Sequence, residues 1–196
     1  MSKKIQFISD IHLEHISVEK YYQIKLNPND LEQLWTSIVN ITGDIILLSG
    51  DIGNPTLEIY WDFLTYLSSK YEQVLLITGN HEYWGSNINT TDSLIKIGIK
   101  KYKNVIFLQR DFFVIQPKVV VLGCTLWSYI PYIHKSNIES CINDYKYITN
   151  FKSIENSNEA HVKDLNWLVE SIKYFSQNNY KIIVMTHHTP NFELNF

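Results

Sequence analysis

The chain has 196 residues, a length that suits one domain spanning 1–196. At 45% hydrophobic and 19% charged it has the composition of an ordinary globular protein, which excludes a disordered, collagen-like or coiled-coil chain. The formal net charge is −3 and Arg110 is the single arginine, so there is no polybasic surface for nucleic acid or anionic membrane, and the acidic balance suits a protein that holds cations.

In chain order, Ile5–Ile8 is a short apolar run that stops on Ser9-Asp10. Asp30 is placed to cap a helix through Leu31, Leu34, Trp35 and Ile38. A second run, Ile45–Leu48, stops on Ser49-Gly50-Asp51, and Pro55 at a first-turn position opens a helix through Leu57, Trp61, Leu64 and Leu67. A third, Val74–Ile77, stops on Thr78-Gly79-Asn80-His81. These runs are continuous rather than alternating, which predicts strands buried on both faces. Val105–Leu108, Phe112–Ile115 and Val119–Leu122 follow with short breaks and a Gln116-Pro117-Lys118 turn, which predicts an antiparallel meander. Residues 129–158 are polar and rich in Asn, Ser and Tyr, and read as a long loop or lid. Val162, Leu165, Leu168, Val169, Ile172 and Phe175 recur at helical spacing, and Ile182–Met185 is a last strand, stopping on Thr186-His187-His188.

Four strand ends thus deliver Asp, Asn or His. In open α/β sheets, ligands bind beyond the carboxyl ends of the strands, so Asp10, His12, Asp51, Asn80, His81 and His187 are expected along one edge. Carboxylates, an amide oxygen and imidazoles together suit Mn, Fe or Zn rather than thiolate-seeking ions. Each motif alone has a plainer reading. Asp-x-His can be a chance surface pair, Gly-Asp and Gly-Asn are common turns, and a lone His is often a satisfied core residue. The concurrence of four such ends is what points to metal.

Ser9-Asp10-Ile11-His12, Gly50-Asp51, Gly79-Asn80-His81-Glu82 and Thr186-His187-His188 resemble, in order and spacing, the signature of the calcineurin-like metallophosphoesterases. Gly123-Cys124-Thr125-Leu126-Trp127, Asn143-Asp144-Tyr145 and His161 through Leu168 are similar to segments of small single-domain members, so the resemblance covers nearly the whole chain. It implies an α/β fold, a four-layer α/β/β/α sandwich of mixed sheets, and hydrolysis of a phosphoester, with a nucleotide among the candidate substrates. By position, Asp10 and His12 would bind one divalent ion, Asp51 would bridge two, and Asn80 and His187 would bind the second. His81 would act on the phosphoryl group or its leaving oxygen.

Two departures stand out. The family often has an acid three positions after the bridging Asp, where this chain has Asn54. No Gly-His-x-His follows Thr189-Pro190, so the fold is expected to be incomplete at its C-terminal side, with three protein ligands per ion and an unpaired edge on the second sheet. Asn54, Glu82 and His188 are candidates for supporting contacts or substitute ligands, with His134 and His161 as further substitutes. A non-catalytic binding module on the same scaffold is the rival reading. Cys124 and Cys141 are too few for a disulfide framework, and no signal segment or membrane-length apolar run is present, so a cytoplasmic protein without a membrane or nucleic-acid partner is expected.

Overall fold

The computed structural model describes residues 3–190. Residues 191–196 lie outside the described residues. One sheet is fully parallel, in the order β1 (Ile5–Ile8), β2 (Ile45–Ser49), β3 (Gln73–Ile77) and β4 (Val105–Phe107). The other is mixed: β5 (Asp111–Gln116) and β6 (Val119–Cys124) form an antiparallel hairpin, and β7 (Lys181–Thr186) lies parallel to β6. The helices are α1 (Val18–Lys25), α2 (Pro28–Ile38), α3 (Glu58–Lys70), α4 (Ile88–Gly98), α5 (Lys135–Cys141), α6 (Asp144–Tyr147) and α7 (Ile154–Gln177). None of the described helices is long and apolar enough to cross a membrane.

Side-chain alternation along the strands builds the layers. Ile46, Leu48, Val74 and Leu76 face outwards onto Trp35 of α2 and Phe63, Leu64 and Leu67 of α3. Their neighbours Ile45, Leu47, Leu75 and Ile77 face the other way, against Val121 and Met185 of the second sheet. Val120 and Leu122 then carry Leu168 and Phe175 of α7 on the far side. The order is helices, sheet, sheet, helix: the four-layer arrangement expected.

Several local expectations need correction. The meander is divided between the sheets, because α4 is a crossover that returns the chain parallel to β3, and β4 therefore pairs there. Arg110, at φ 50°, turns the chain towards the second sheet, and only β5 and β6 form a hairpin. Burial on both faces holds for β2 and β3 but not for β1 and β7, which are edge strands among the described residues: Phe7 is 77% exposed and Val184 43%. Asn27, not Asp30, caps α2, its side chain accepting from the Asn29 amide at 3.0 Å, with Pro28 as first helical residue. Likewise α3 begins at Glu58, and Pro55 sits in the preceding turn. On α7 the apolar stripe is wider than its contact, so Val162, Leu165, Val169 and Ile172 remain exposed.

The stretch 129–158 is not a plain loop. It contains α5 and α6, and Tyr145, Ile148, Phe151 and Ile154 bury with Tyr83 and Trp127 in an apolar cluster beyond the exit of β3. Its polar residues cover this cluster, and Asp144 reaches Asn80 at the exit of β3.

Candidate metal centre

The polar residues sit on loops whose backbone is unusual. Asp10, His12 and Asp51 have φ of 55°, 52° and 53°, the left-handed region that side chains avoid at a cost of roughly 1–3 kcal/mol each. Hydrogen bonds between two loops hold them there. The backbone N–H of Asp10 donates to the Gly50 carbonyl at 3.1 Å, that of His12 to the Asp51 carbonyl at 3.0 Å, and that of Leu13 to the Ile52 carbonyl at 3.0 Å. Leu13, 1% exposed, anchors the β1 exit in the core beside Ile52. These bonds tie the exits of β1 and β2 together.

Glu82 ties in the exit of β3. Its carboxylate accepts from the backbone amides of Asp51 (3.0 Å), Ile52 (2.7 Å), Gly53 (3.4 Å) and Gly79 (2.8 Å). Burial and the nearby Asp51 charge push its pKa up to about 7, against the pull of those amides. Both oxygens are engaged by backbone amides. Close approach is possible because position 79 is glycine: a Cβ there would stand 2.2 Å from Asp51 Oδ1 and 2.7 Å from His187 Nε2.

The donors converge on Asp51, which is 4% exposed. His12 Nε2 lies 3.8 Å from its Oδ2 on one side, and His187 Nε2 lies 3.5 Å from the same oxygen. Asp10, His12 and Asp51 each bring a donor atom within 4.8 Å of the others. On the other side His187 Nε2 is 3.2 Å from Asn80 Oδ1, while its Nδ1 is 2.9 Å from the Ser49 carbonyl, which it serves as donor. With Nδ1 so engaged, Nε2 is the nitrogen turned to the two side-chain oxygens.

This donor set fits a divalent ion. Burial disfavours a charged His187, yet the Asp51 carboxylate and the Ser49 carbonyl outweigh it and push the pKa up to about 9. Asp51, although buried, is held below the usual carboxylate range by His187 and by the His81 backbone N–H at 2.9 Å. The Asp51 carboxylate and the Asn80 oxygen beside Nε2 make this a pocket of negative potential, where a metal ion would take a proton's place. Oxygen and imidazole donors together suit a borderline or hard cation.

His81 lies next to Asn80 on the same turn, with Trp84 stacked on its ring at 3.6 Å between centroids. The Trp84 indole N–H donates to Asp144 Oδ1 at 2.7 Å, and the Asn80 amide N–H donates to the same oxygen at 2.8 Å. Asp144, on α6, thereby fixes the Asn80 amide with its oxygen facing His187. Trp84 is thus a packing partner of His81. Asn54 reaches neither histidine: its Oδ1 accepts from the Thr56 amide and hydroxyl, and its Nδ2 donates to the Trp84 carbonyl at 3.4 Å. His188 is held neutral, pushed down to about 4 by burial and the adjacent His187 charge, and its Nδ1 has no partner among the described residues. With His134 and His161 it lines a cavity of about 640 Å³ that also opens on Asp10 and His187. His161 Nδ1 is engaged by the Trp127 carbonyl.

Residues that sequence reasoning passed over are Glu14, whose carboxylate touches both His12 and His81, and Asp144, singled out only as part of a family-like segment. Spacing gives a weak signal for the first, two residues beyond His12, and none for the second.

Comparison with known proteins bears on this geometry. The sequence profile described as calcineurin-like phosphoesterase matches residues 3–195. An uncharacterized protein of Acanthamoeba polyphaga mimivirus is 30% identical over 210 aligned positions, covering 97% of this chain and 69% of the relative. A probable cyclic nucleotide phosphodiesterase of Ruthia magnifica subsp. Calyptogena magnifica is 32% identical over 92 positions, 46% of this chain and 37% of that protein.

Proposed function

The chain belongs to the calcineurin-like phosphoesterases, a family of phosphoric ester hydrolases, and on that premise we propose that it cleaves phosphoesters with a pair of divalent cations, Mn, Fe or Zn, held around Asp51. The observation that carries this reading is the placement of Asp51 Oδ2 between His12 Nε2 at 3.8 Å and His187 Nε2 at 3.5 Å. Asp10, His12 and Asp51 would hold one ion, and Asp51, Asn80 and His187 the other. Bound ions would supply Lewis-acid stabilisation of the phosphoryl charge and acidify water.

The chain's own groups do the rest. Asn80 offers a neutral oxygen, which keeps the site's net charge favourable for an anionic substrate. Water oxygen adds to phosphorus and its proton leaves to solvent. As the ester P–O bond breaks with its electron pair on the departing oxygen, His81 gives that oxygen a proton, an effect typically worth about 10²–10⁴-fold. The name of the Ruthia relative favours a nucleotide phosphodiester among the candidate substrates. The stretch 129–158 borders the cavity beside Asp10 and His187, where substrate would lie, and serves as its lid. The cytoplasm is the compartment that suits two free thiols, Cys124 buried and Cys141 exposed.

The test begins with chelator-treated protein. Adding Mn²⁺ is expected to raise its melting temperature and switch on hydrolysis of p-nitrophenyl phosphate or its bis ester. Asp51→Ala should lose both effects, and His81→Ala should lose turnover while retaining the thermal shift. A wild-type protein that neither shifts with Mn²⁺ nor turns over would favour the binding module instead.

A further inference from the structure

We infer that Glu14 is the positioning residue for both His12 and His81, fixing one imidazole as a ligand and the other as a proton donor with a single carboxylate oxygen. The inference deepens the phosphoesterase reading and rests on it. Glu14 Oε1 lies 3.0 Å from His12 Nδ1 and 3.1 Å from His81 Nδ1. The two rings meet edge to face, 4.4 Å between centroids at 71°, so one acceptor can serve both without stacking them.

The chain is shaped to deliver this carboxylate. His12 is in the left-handed conformation and a short turn, Leu13–His15, follows it. With Leu13 driven into the core and bonded to Ile52, the next side chain is directed back over the site. Position 53 lets Leu13 seat closely: a Cβ there would stand 2.9 Å from Leu13 Cβ. Asn54, the nearby amide, is committed to Thr56 and Trp84 and offers nothing to either ring.

A neutral imidazole has one N–H. When Nδ1–H donates to a carboxylate, Nε2 keeps its lone pair, as a metal ligand requires, and for His12 that is the nitrogen facing Asp51. For His81 the same bond keeps the Nδ1 proton on the carboxylate side, so the proton handed to the leaving oxygen comes from Nε2. His12, Glu14 and His81 do bring donor atoms within 4.8 Å of one another, but the nitrogens turned to Glu14 are both Nδ1 and are spent on it. The cluster therefore acts as a brace through Oε1, while Glu14 Oε2 is buried without a partner among the described residues.

Two readouts test this. In metal-free protein with ¹⁵N-labelled histidine, two-bond ¹H–¹⁵N spectra at a pH where the rings are neutral should show His12 and His81 as Nδ1–H tautomers. Glu14→Ala should return both to the Nε2–H form that free imidazole prefers. In protein kept at saturating Mn²⁺, Glu14→Gln should lower kcat on phenyl phosphate by about tenfold or more, cost p-nitrophenyl phosphate much less because its leaving group needs little protonation, leave KM nearly unchanged, and weaken Mn²⁺ binding by about 10–100-fold without abolishing it. The inference is overturned by unchanged tautomers in Glu14→Ala, by equal losses on both esters, or by loss of bound Mn²⁺ outright, which would make Glu14 a ligand. If wild-type protein hydrolyses neither ester, the phosphoesterase reading fails, and the tautomer spectra still decide the role of Glu14.

Discussion

His187 is held by a β2 carbonyl and faces Asn80, whose amide is fixed in turn by Asp144 on α6, whereas Asp10 stands exposed at the end of β1, on a loop shaped by backbone hydrogen bonds to the β2 exit. One half of the candidate centre is thus preformed by buried and half-buried side chains from several elements. The other is carried by strained backbone and by the Glu14 brace. The two halves share Asp51, which is where a perturbation of one reaches the other. Side-chain support should make the His187 half selective and hard to distort, and backbone support should make the Asp10 half follow the β2 loop.

The strongest way to break this contrast is at the shared carboxylate. Gly79→Ala places a methyl group 2.2 Å from Asp51 Oδ1 and 2.7 Å from His187 Nε2, so both halves should fail together. We expect Mn²⁺ affinity to fall by about 100-fold or more by calorimetric titration, since even outer contacts of a metal site are typically worth about 10–100-fold. Equal affinity in this variant would show that Asp51 does not hold metal where the geometry puts it.

A more selective change sharpens the comparison. Asp144→Ala frees the Asn80 amide and should weaken only the ion of the His187 half, by about 10–100-fold, leaving the other isotherm in place. Uniform weakening of both ions would mean that the halves are not separately supported.

The smallest effect is in the metal-free protein. The pKa of His187 rises from 6.5 to about 9 on folding, so its stabilising share is complete below pH 6.5 and is lost as pH climbs through about 9. Glu82, raised to about 7, favours folding in its neutral form and loses its share as pH climbs through about 7. Between pH 7 and 9 the melting temperature should therefore fall, by about 2–4 °C per kcal/mol lost, and His187→Gln should flatten the slope. Saturating Mn²⁺ should also flatten it, the ion having replaced the proton.

Much of the candidate site could be read from strand ends, because an apolar run that stops on Asp, Asn or His states both where a parallel strand exits and what it delivers. Asp10, Asp51, Asn80 and His187 are legible on those terms. Asp144 is not: it lies 64 residues from Asn80, in a polar stretch whose helices are short and whose fold depends on burying Tyr145 and Phe151 rather than on local periodicity. Glu14 was hidden for the opposite reason. It is so close to His12 that it reads as an ordinary surface acid, and only the left-handed turn directs it inwards. The split of the expected meander has a similar cause, for the composition of Val105–Phe107 does not say which neighbour supplies its hydrogen bonds.

The left-handed residues at 10, 12 and 51 carry a consequence for protein engineering. Glycine at any of these places would relax the backbone, so a library screened only for heat endurance should drift towards it and emerge sturdier but inert. Selection for durability and selection for chemistry pull this molecule in opposite directions at the same three codons.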